Sequence, residues 1–265
     1  MYNRFLIAGL GFVLLFTLFQ YRGAEGSVGH DIGNQTTDTQ SVASTLTFSH
    51  TVASGSNQLL IVATSAFDVT DTDRPVTSVT FNGVSLTQIA SSDQTIQNIT
   101  TELWYLVAPN VTTANVIVTF DGANAAASAV ATNFTNVDQT TPIDVFETQS
   151  DGSSVSSYTI TATTTVANTT IIDIGFLSTN RTVTPDSGTQ IFEFNDNNNR
   201  TFFGNINNVG AAGGQTIGNS FSAISRYVAI AAAIKPAEPE TPNVTGSLKV
   251  NNGKLKINNG KIKID

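Results

Sequence analysis

Short segments in which apolar and polar residues alternate recur along most of this chain, and Asn, Gly and Asp separate them. Successive side chains of a β-strand point to opposite sides, so an alternation of period two predicts a strand with one buried face. Asn82-Gly83 lies between two such segments and predicts a type I′ hairpin. No stretch after Phe19 carries an apolar helical stripe with caps. The pattern therefore restricts the chain to an all-β fold.

The alternating segments predict about a dozen short strands with regular spacing, which is typical of a β-sandwich or barrel. We predict a jelly-roll-like antiparallel β-sandwich over residues 42–235. The strands are expected at 46–52, 59–63, 79–81, 84–89, 100–108, 114–121, 125–137, 155–162, 169–177, 189–194, 201–209 and 222–234.

The composition excludes several classes of function. Only 12% of the 265 residues are charged and the net charge is −8. A general nucleic-acid binder needs a basic surface, so no nucleic-acid partner is expected. There is no Cys, which excludes disulfides, thiolate metal sites and thiol nucleophiles, and the core must be stable by itself.

The N-terminal segment, 1–26, resembles an export signal. Arg4 precedes an apolar run at 5–19, which is shorter than the roughly 20 residues of a membrane-spanning helix. Small residues at 23–26 allow cleavage there, and an uncleaved signal-anchor is the alternative. Both interpretations place the protein outside the cytoplasm, at the cell surface or in the medium. Residues 27–41 are predicted to form a flexible arm, or a strand donated to a neighbouring subunit.

The order of several motifs resembles a recurrent module of bacterial exported proteins. These motifs are VTSVTFNGVSLTQIA (76–90), TELWYLVAPNVTTANVIVTFDG (101–122), AAASAVATNFTNVDQTTPID (125–144) and AAIKP (232–236). Asn136 stands where that family usually has Gly. The resemblance covers about residues 41–236 and implies a jelly-roll-like β-sandwich in large surface proteins, without established catalytic residues.

A proline-rich linker, 236–246, precedes a repeated tail, 247–265, in which LKVNNGK is followed by LKINNGK and IKID. Regular Asn-Gly pairs break a helix, so each copy is predicted to be a short strand and a turn. The aliphatic residues are expected on one face and the Lys residues on the other. The predicted assembly or attachment residues are Leu248, Lys249, Val250, Lys254, Leu255, Lys256, Ile257, Lys261, Ile262, Lys263 and Ile264.

Charge divides the chain into an acidic body and a basic tail. The five Lys residues and Asp265 give the tail +4, which leaves −12 on the remainder of a chain whose total is −8. A small sheet with one apolar face is marginal alone, so the tail is expected to dock on its own body, a sister copy or another partner. The Lys face would attract an acidic body or an anionic envelope polymer, or would serve only to prevent edge aggregation.

Candidate catalytic residues are few. His30 and His50 are expected to be structural. Glycoside hydrolysis needs two facing carboxylates, but Glu102, Glu147 and Glu193 are far apart in the sequence. Glu102 shares a predicted strand face with Trp104, and an acid beside an aromatic ring is one arrangement found at sugar sites. A strand-end Glu beside a half-buried Trp is the alternative.

One loop has the residue types of a calcium site. Asp68, Asp71 and Asp73 supply oxygen ligands, which Ca²⁺ prefers. Their spacing matches no EF-hand, and Asp-rich loops are also ordinary turns. No other cofactor is indicated.

Three functions follow as hypotheses. The first is a non-catalytic exported surface protein for adhesion or glycan binding. The second is a self-assembling subunit of an extracellular filament, sheath or virion, with copies joined through the arm and the tail. The third is a secreted polysaccharide-active enzyme.

Overall fold

The structure is a computed structural model and describes residues 26–31, 35–69, 74–196, 198–239, 246–250, 253–258 and 261–264. The predicted export segment, apart from its last residue, lies outside the described residues, and so does most of the linker. The described part of the chain contains no helix that is long and apolar enough to cross a membrane. Residues 25–239 form one compact body, and the C-terminal strands belong to a separate unit.

The described residues form an all-β, antiparallel fold, as predicted. In chain order the strands are β1 (Gly29–His30), β2 (Thr36–Thr51), β3 (Leu59–Phe67), β4 (Val76–Phe81), β5 (Val84–Ser85), β6 (Thr87–Gln94), β7 (Ile99–Val107), β8 (Thr113–Thr135), β9 (Ile143–Thr164), β10 (Thr169–Leu177), β11 (Val183–Pro185), β12 (Thr189–Asn195), β13 (Thr201–Val209), β14 (Gly213–Ile234), β15 (Gly246–Val250), β16 (Gly253–Asn258) and β17 (Lys261–Ile264).

Several turns contain Asn or Gly residues with a positive φ. Asn82 and Gly83 have φ values of 49° and 76° and join β4 to β5, which is the predicted hairpin. Asn136, the position where the resembling module usually has Gly, has a φ of 58°. Asn tolerates this left-handed region better than other residues with a side chain. In the described part of the chain, Asn supplies six of the seven non-Gly residues with a positive φ.

Two sheets build the body, and both depend on a long, bent strand. The first sheet has the order β5-β4-β8-β3-β7-β6, and β1 and β2 also pair with β8. The second has the order β11-β14-β10-β13-β12, and β9 also pairs with β14. Because β8 and β14 each carry pairings along more than 20 residues, each takes part in two layers.

Bulges produce the two bends. Between β2 and β8 the register passes from Thr45↔Thr119 to Ala43↔Asn124, so β8 has extra residues. Between β9 and β14 it passes from Ser157↔Ser220 to Val155↔Ser225. Unequal numbers of residues on paired strands bend the longer one. The strands predicted at 114–121 and 125–137 are thus one bent strand.

The two sheets repeat one arrangement. In the first, β8 pairs with β2, β3 and β4, and β7 lies between β3 and β6. In the second, β14 pairs with β9, β10 and β11, and β13 lies between β10 and β12. The registers agree too, because Leu59 pairs with Val107 and Thr169 pairs with Val209 at the same ends of nine-residue strands. The body therefore consists of two halves with equivalent topology, a first half (β2–β8) and a second half (β9–β14).

Three apolar clusters follow from this arrangement. The central cluster lies between the sheets and joins residues such as Ile61 and Phe134 to Ile174 and Ile230. A second cluster lies inside the fold of the first sheet, and a third lies inside the fold of the second. Each of the latter two contains residues from both ends of its bent strand, so the bends close the apolar faces.

The predicted flexible arm is paired over much of its length. Gly29 and His30 pair with β8, and β2 begins at Thr36 and pairs with the same strand. Val28 is 5% exposed and belongs to the central cluster. The polar sequence resembles a loop, but backbone pairing to β8 needs no apolar side chains.

The described residues of the tail form the antiparallel sheet β15-β16-β17. Its register sets Leu248 opposite Leu255, and Leu255 opposite Ile264. The same register sets Lys249 opposite Lys254, and Lys256 opposite Lys263. Aliphatic positions are therefore paired with aliphatic positions, and Lys positions with Lys positions.

Gly175 tests how closely the core is packed. A Cβ built on Gly175 would overlap the ring of Phe203, a fully buried side chain. Gly175→Ala is expected to lower the free energy of unfolding by about 1–3 kcal/mol, because the ring has no space to move into. Urea denaturation measures this change.

The control is Gly210→Ala. A Cβ at Gly210 meets no atom within 4 Å, so a change within about 0.5 kcal/mol is expected. Equal stability of the two variants would contradict the packing described above.

Candidate functional site

Glu102 and Trp104, the predicted glycan pair, lie inside the first half. Glu102 is 1% exposed and Trp104 is 8% exposed. The Glu102 carboxylate accepts hydrogen bonds from Val76 N (2.7 Å), Gln88 Nε2 (2.7 Å) and Trp104 Nε1 (3.2 Å). The pair thus links β4, β6 and β7, and it presents little surface on which a sugar could stack.

In the second half, Glu193 accepts hydrogen bonds equivalent to two of those that Glu102 accepts in the first half. Glu193 Oε2 accepts from Val183 N (3.1 Å) and Gln190 Nε2 (2.7 Å). Val183 begins β11 as Val76 begins β4, and Gln190 and Gln88 both stand at a bulge of their strand pairs. Glu102 and Glu193 belong to different sheets, while Glu147 is exposed on β9. The structure therefore does not pair Glu102 with Glu193 across a cleft.

The two His residues attach the N-terminal strands to β8. His50 Nε2 lies 3.1 Å from Asn133 Oδ1, and its Nδ1 lies 2.7 Å from Thr36 Oγ1. His30 Nε2 lies 2.7 Å from Thr132 Oγ1. Burial lowers the pKa of both rings, which favours the neutral form and a structural role.

The predicted calcium loop is described only in part. Asp68 forms an ion pair with Arg74, while Asp71 and Asp73 lie outside the described residues. Within the described ranges, no group of three or more His, Cys, Asp or Glu side chains could hold a metal ion. Asp68 already has a cationic partner, and the other two predicted ligands lie outside the described residues. Ca²⁺ at this loop therefore stays a prediction.

A buried polar cluster that the sequence did not indicate lies inside the second half. Asp173 is 3% exposed, and both of its carboxylate oxygens accept from Tyr158 Oη at 2.9 Å. Asn219 Nδ2 donates to Asp173 Oδ2 at 2.5 Å and to Tyr158 Oη at 2.8 Å. Asn205 Nδ2 donates to Asn219 Oδ1 at 2.8 Å. Four strands are connected by these bonds.

Burial raises the pKa of Asp173 to about 6, and the hydrogen bonds from Tyr158 and Asn219 only partly oppose this rise. The folded state therefore holds the proton more tightly than the unfolded state. The contribution of Asp173 to the free energy of unfolding is therefore largest at low pH and is lost as the pH rises from about 4 through 6. A rise in pKa from 3.8 to about 6 corresponds to a loss on the order of 3 kcal/mol at neutral pH.

Asp173→Asn removes this titration while it keeps the size of the side chain. We expect the variant to gain about 2.4 kcal/mol relative to the wild type when the pH is raised from 4 to 7. Urea denaturation of both proteins at several pH values measures the difference, which cancels the titration of all other groups. A difference that is independent of pH would show that Asp173 does not titrate in this range.

An open groove lies where the central cluster reaches the surface. It is lined by the start of β6, by Tyr105 near the end of β7, by the linker 140–142 and by the start of β9 with Phe146. Its volume is about 550 Å³. Phe146 is 48% exposed, and Tyr105 packs against the rim of the central cluster. We call it the seam groove.

Polar side chains surround the two rings of the seam groove. Gln88, Thr140, Thr141 and Asp144 line it. Asp144 is fixed by Thr165, whose backbone N–H donates to Oδ2 at 2.6 Å. The groove therefore offers aromatic faces beside hydrogen-bonding groups held in defined positions.

No family model matches the chain, and no curated protein or solved structure was found to be similar to it. The chemistry of the seam groove and of the tail is therefore the basis for assigning a role.

Proposed function

We propose that this protein is a non-catalytic binding module that acts outside the cell and holds a glycan in the seam groove. The observation that carries the proposal is the pair of aromatic side chains, the exposed Phe146 and the half-buried Tyr105, beside a polar rim. Sugar rings present C–H faces that pack on aromatic rings and hydroxyl groups that bond to polar side chains. The apolar run at 5–19 supports the extracellular location.

The carboxylates support a binding role over hydrolysis. Glu102 is buried and accepts three hydrogen bonds. Glu193 performs the equivalent structural task in the other half. A retaining or inverting hydrolase needs two acids that face each other across the substrate, and these two acids are committed to holding strands.

Phe146→Ala and Tyr105→Ala test the groove. A glycan array on residues 27–265 identifies a ligand, and calorimetric titration then measures its affinity. Each substitution is expected to weaken binding at least tenfold, which corresponds to about 1.4 kcal/mol, because each removes one stacking face.

Ile224→Ala is the matched control. Ile224 is 59% exposed and lies in the bulge of β14, outside the groove, so its loss is expected to leave the affinity unchanged. Absence of binding to any array glycan, or equal affinity of all variants, would contradict the glycan-binding proposal.

A second candidate function is self-assembly through the tail. In its sheet, Lys249 is directly opposite Lys254, and Lys256 is opposite Lys263. Like charges in these positions destabilise a sheet, and an isolated sheet of three short strands is marginal. Burial of the aliphatic face against a second copy would supply the missing stability.

The tail is tested by comparing the full chain with a chain that ends at Pro239. Light scattering and electron microscopy are expected to show oligomers of the first and monomers of the second, because residues 25–239 form a compact body by themselves. Leu255→Ser with Ile257→Ser should also abolish assembly, whereas Lys254→Ser with Lys256→Ser, on the opposite face, should not. Monomers of the full chain would exclude this function.

A further inference from the structure

A second cavity lies at the opposite end of the β6–β7 hairpin from the seam groove. It has a volume of about 460 Å³, within the range of small-ligand sites. Three segments that are distant in sequence form it: the end of β3 with Asp68 and Arg74, the β6–β7 turn, and the bulge of β8 with Asn124. We call it the loop-end pocket.

Asn124 gives this pocket an unused hydrogen-bond donor. The side chain is 1% exposed, lines the pocket, and its Nδ2 has no hydrogen-bond partner. A buried polar group without a partner lowers the stability of the folded state. Eight buried side-chain atoms in the described residues have no partner, and Asn124 Nδ2 is the one among them whose residue lines the loop-end pocket; a ligand bound there would supply its partner.

The rest of the wall offers both acceptors and donors. Asp93 is an exposed carboxylate at the end of β6, and Thr95 and Thr100 add hydroxyl groups. Arg74 is paired with Asp68, and its guanidinium lies over the backbone of Gly122, where a Cβ would overlap it. Asp68 neutralises this Arg, so the pocket as a whole does not favour an anion.

A neutral ring with several hydroxyl groups matches this wall. Each hydroxyl both donates and accepts, so adjacent hydroxyls suit a carboxylate such as Asp93 while another accepts from an amide such as Asn124. Ala66, Ile96 and Ile99 line the same pocket and provide apolar contact for C–H groups.

We propose that the loop-end pocket binds one neutral polyhydroxylated ring, a single monosaccharide unit, through the side chains of Asn124 and Asp93. This site is independent of the seam groove, because the two cavities share no residue. Substitution of Tyr105 or Phe146 therefore leaves its occupancy unchanged.

Nuclear magnetic resonance of the folded chain tests the proposal directly. The probes are D-glucose, D-galactose, D-mannose, L-fucose and N-acetyl-D-glucosamine, each titrated separately. At least one is expected to shift the side-chain amide signals of Asn124 together with the backbone signals of the β6–β7 turn, with a dissociation constant of about 1 mM or tighter.

Two variants distinguish a binding role from a structural one. Asn124→Leu keeps the approximate volume and removes the unpartnered donor, so binding is expected to fall at least tenfold while the melting temperature stays the same or rises. Asp93→Asn, at an exposed position where unfolding is not expected, should weaken binding at least fivefold. Glu147→Gln, an exposed acid outside the pocket, is the charge control and should bind as the wild type does.

Two results would overturn the proposal. One is the absence of pocket shifts with every probe at about 100 mM. The other is unchanged affinity in Asp93→Asn. If Asn124→Leu fails to fold, the titration of Asp93→Asn against Glu147→Gln still decides the matter.

Discussion

The bends of β8 and β14 are the constraint on which the rest of the body depends. A flat sheet can bury a face only by packing it against another sheet. Each of these two strands instead bends at a bulge and continues into a second layer. The same strand then contributes apolar side chains to both sides of a cluster. Three connected clusters result, and they compensate for the absence of disulfides in a chain without Cys.

Beyond the bends, β4 pairs with β8 and β11 pairs with β14. The first residue of each of these two strands is held by a hydrogen bond to a carboxylate. Val76 and Val183 occupy this position in the two halves, and each donates its backbone N–H to a Glu carboxylate that also binds a bulge Gln. The two acids come from different strands, β7 and β12. Equivalent hydrogen bonds from non-equivalent residues show that the duplicated geometry, rather than a repeated sequence motif, sets this requirement.

Local patterns were enough to predict most strands, because the alternation of side chains along a pleated strand is a local property. β10 and β13 have the predicted bounds, and the Asn82-Gly83 hairpin was identified from its dipeptide. The arm was mistaken for a loop because its pairing with β8 is made by backbone groups.

The sites were much less predictable, because their residues come together only in the fold. Asp173 is visible as one acid within an apolar run, but nothing in the sequence connects it to Tyr158 or Asn219. The equivalence of the two halves could not be predicted from the sequence for a related reason. Trp104 corresponds in register to Ile206, and Glu102 corresponds to Gly204, so equivalent positions share no side-chain chemistry.

Both the seam groove and the loop-end pocket include residues of the β6–β7 hairpin of the first half, and the seam groove also includes the start of β9 from the second half. In the second half, Asn207 takes the position of Tyr105 and removes the aromatic face. At the turn of the equivalent hairpin, the guanidinium of Arg200 lies 3.2 Å from the centre of the ring of Phe67, a residue of the first half, and makes a cation–π contact with it. Meanwhile the buried carboxylate of Asp173 connects strands of the second half. The loop-end pocket is therefore built by the first half alone, whereas both halves contribute residues to the seam groove.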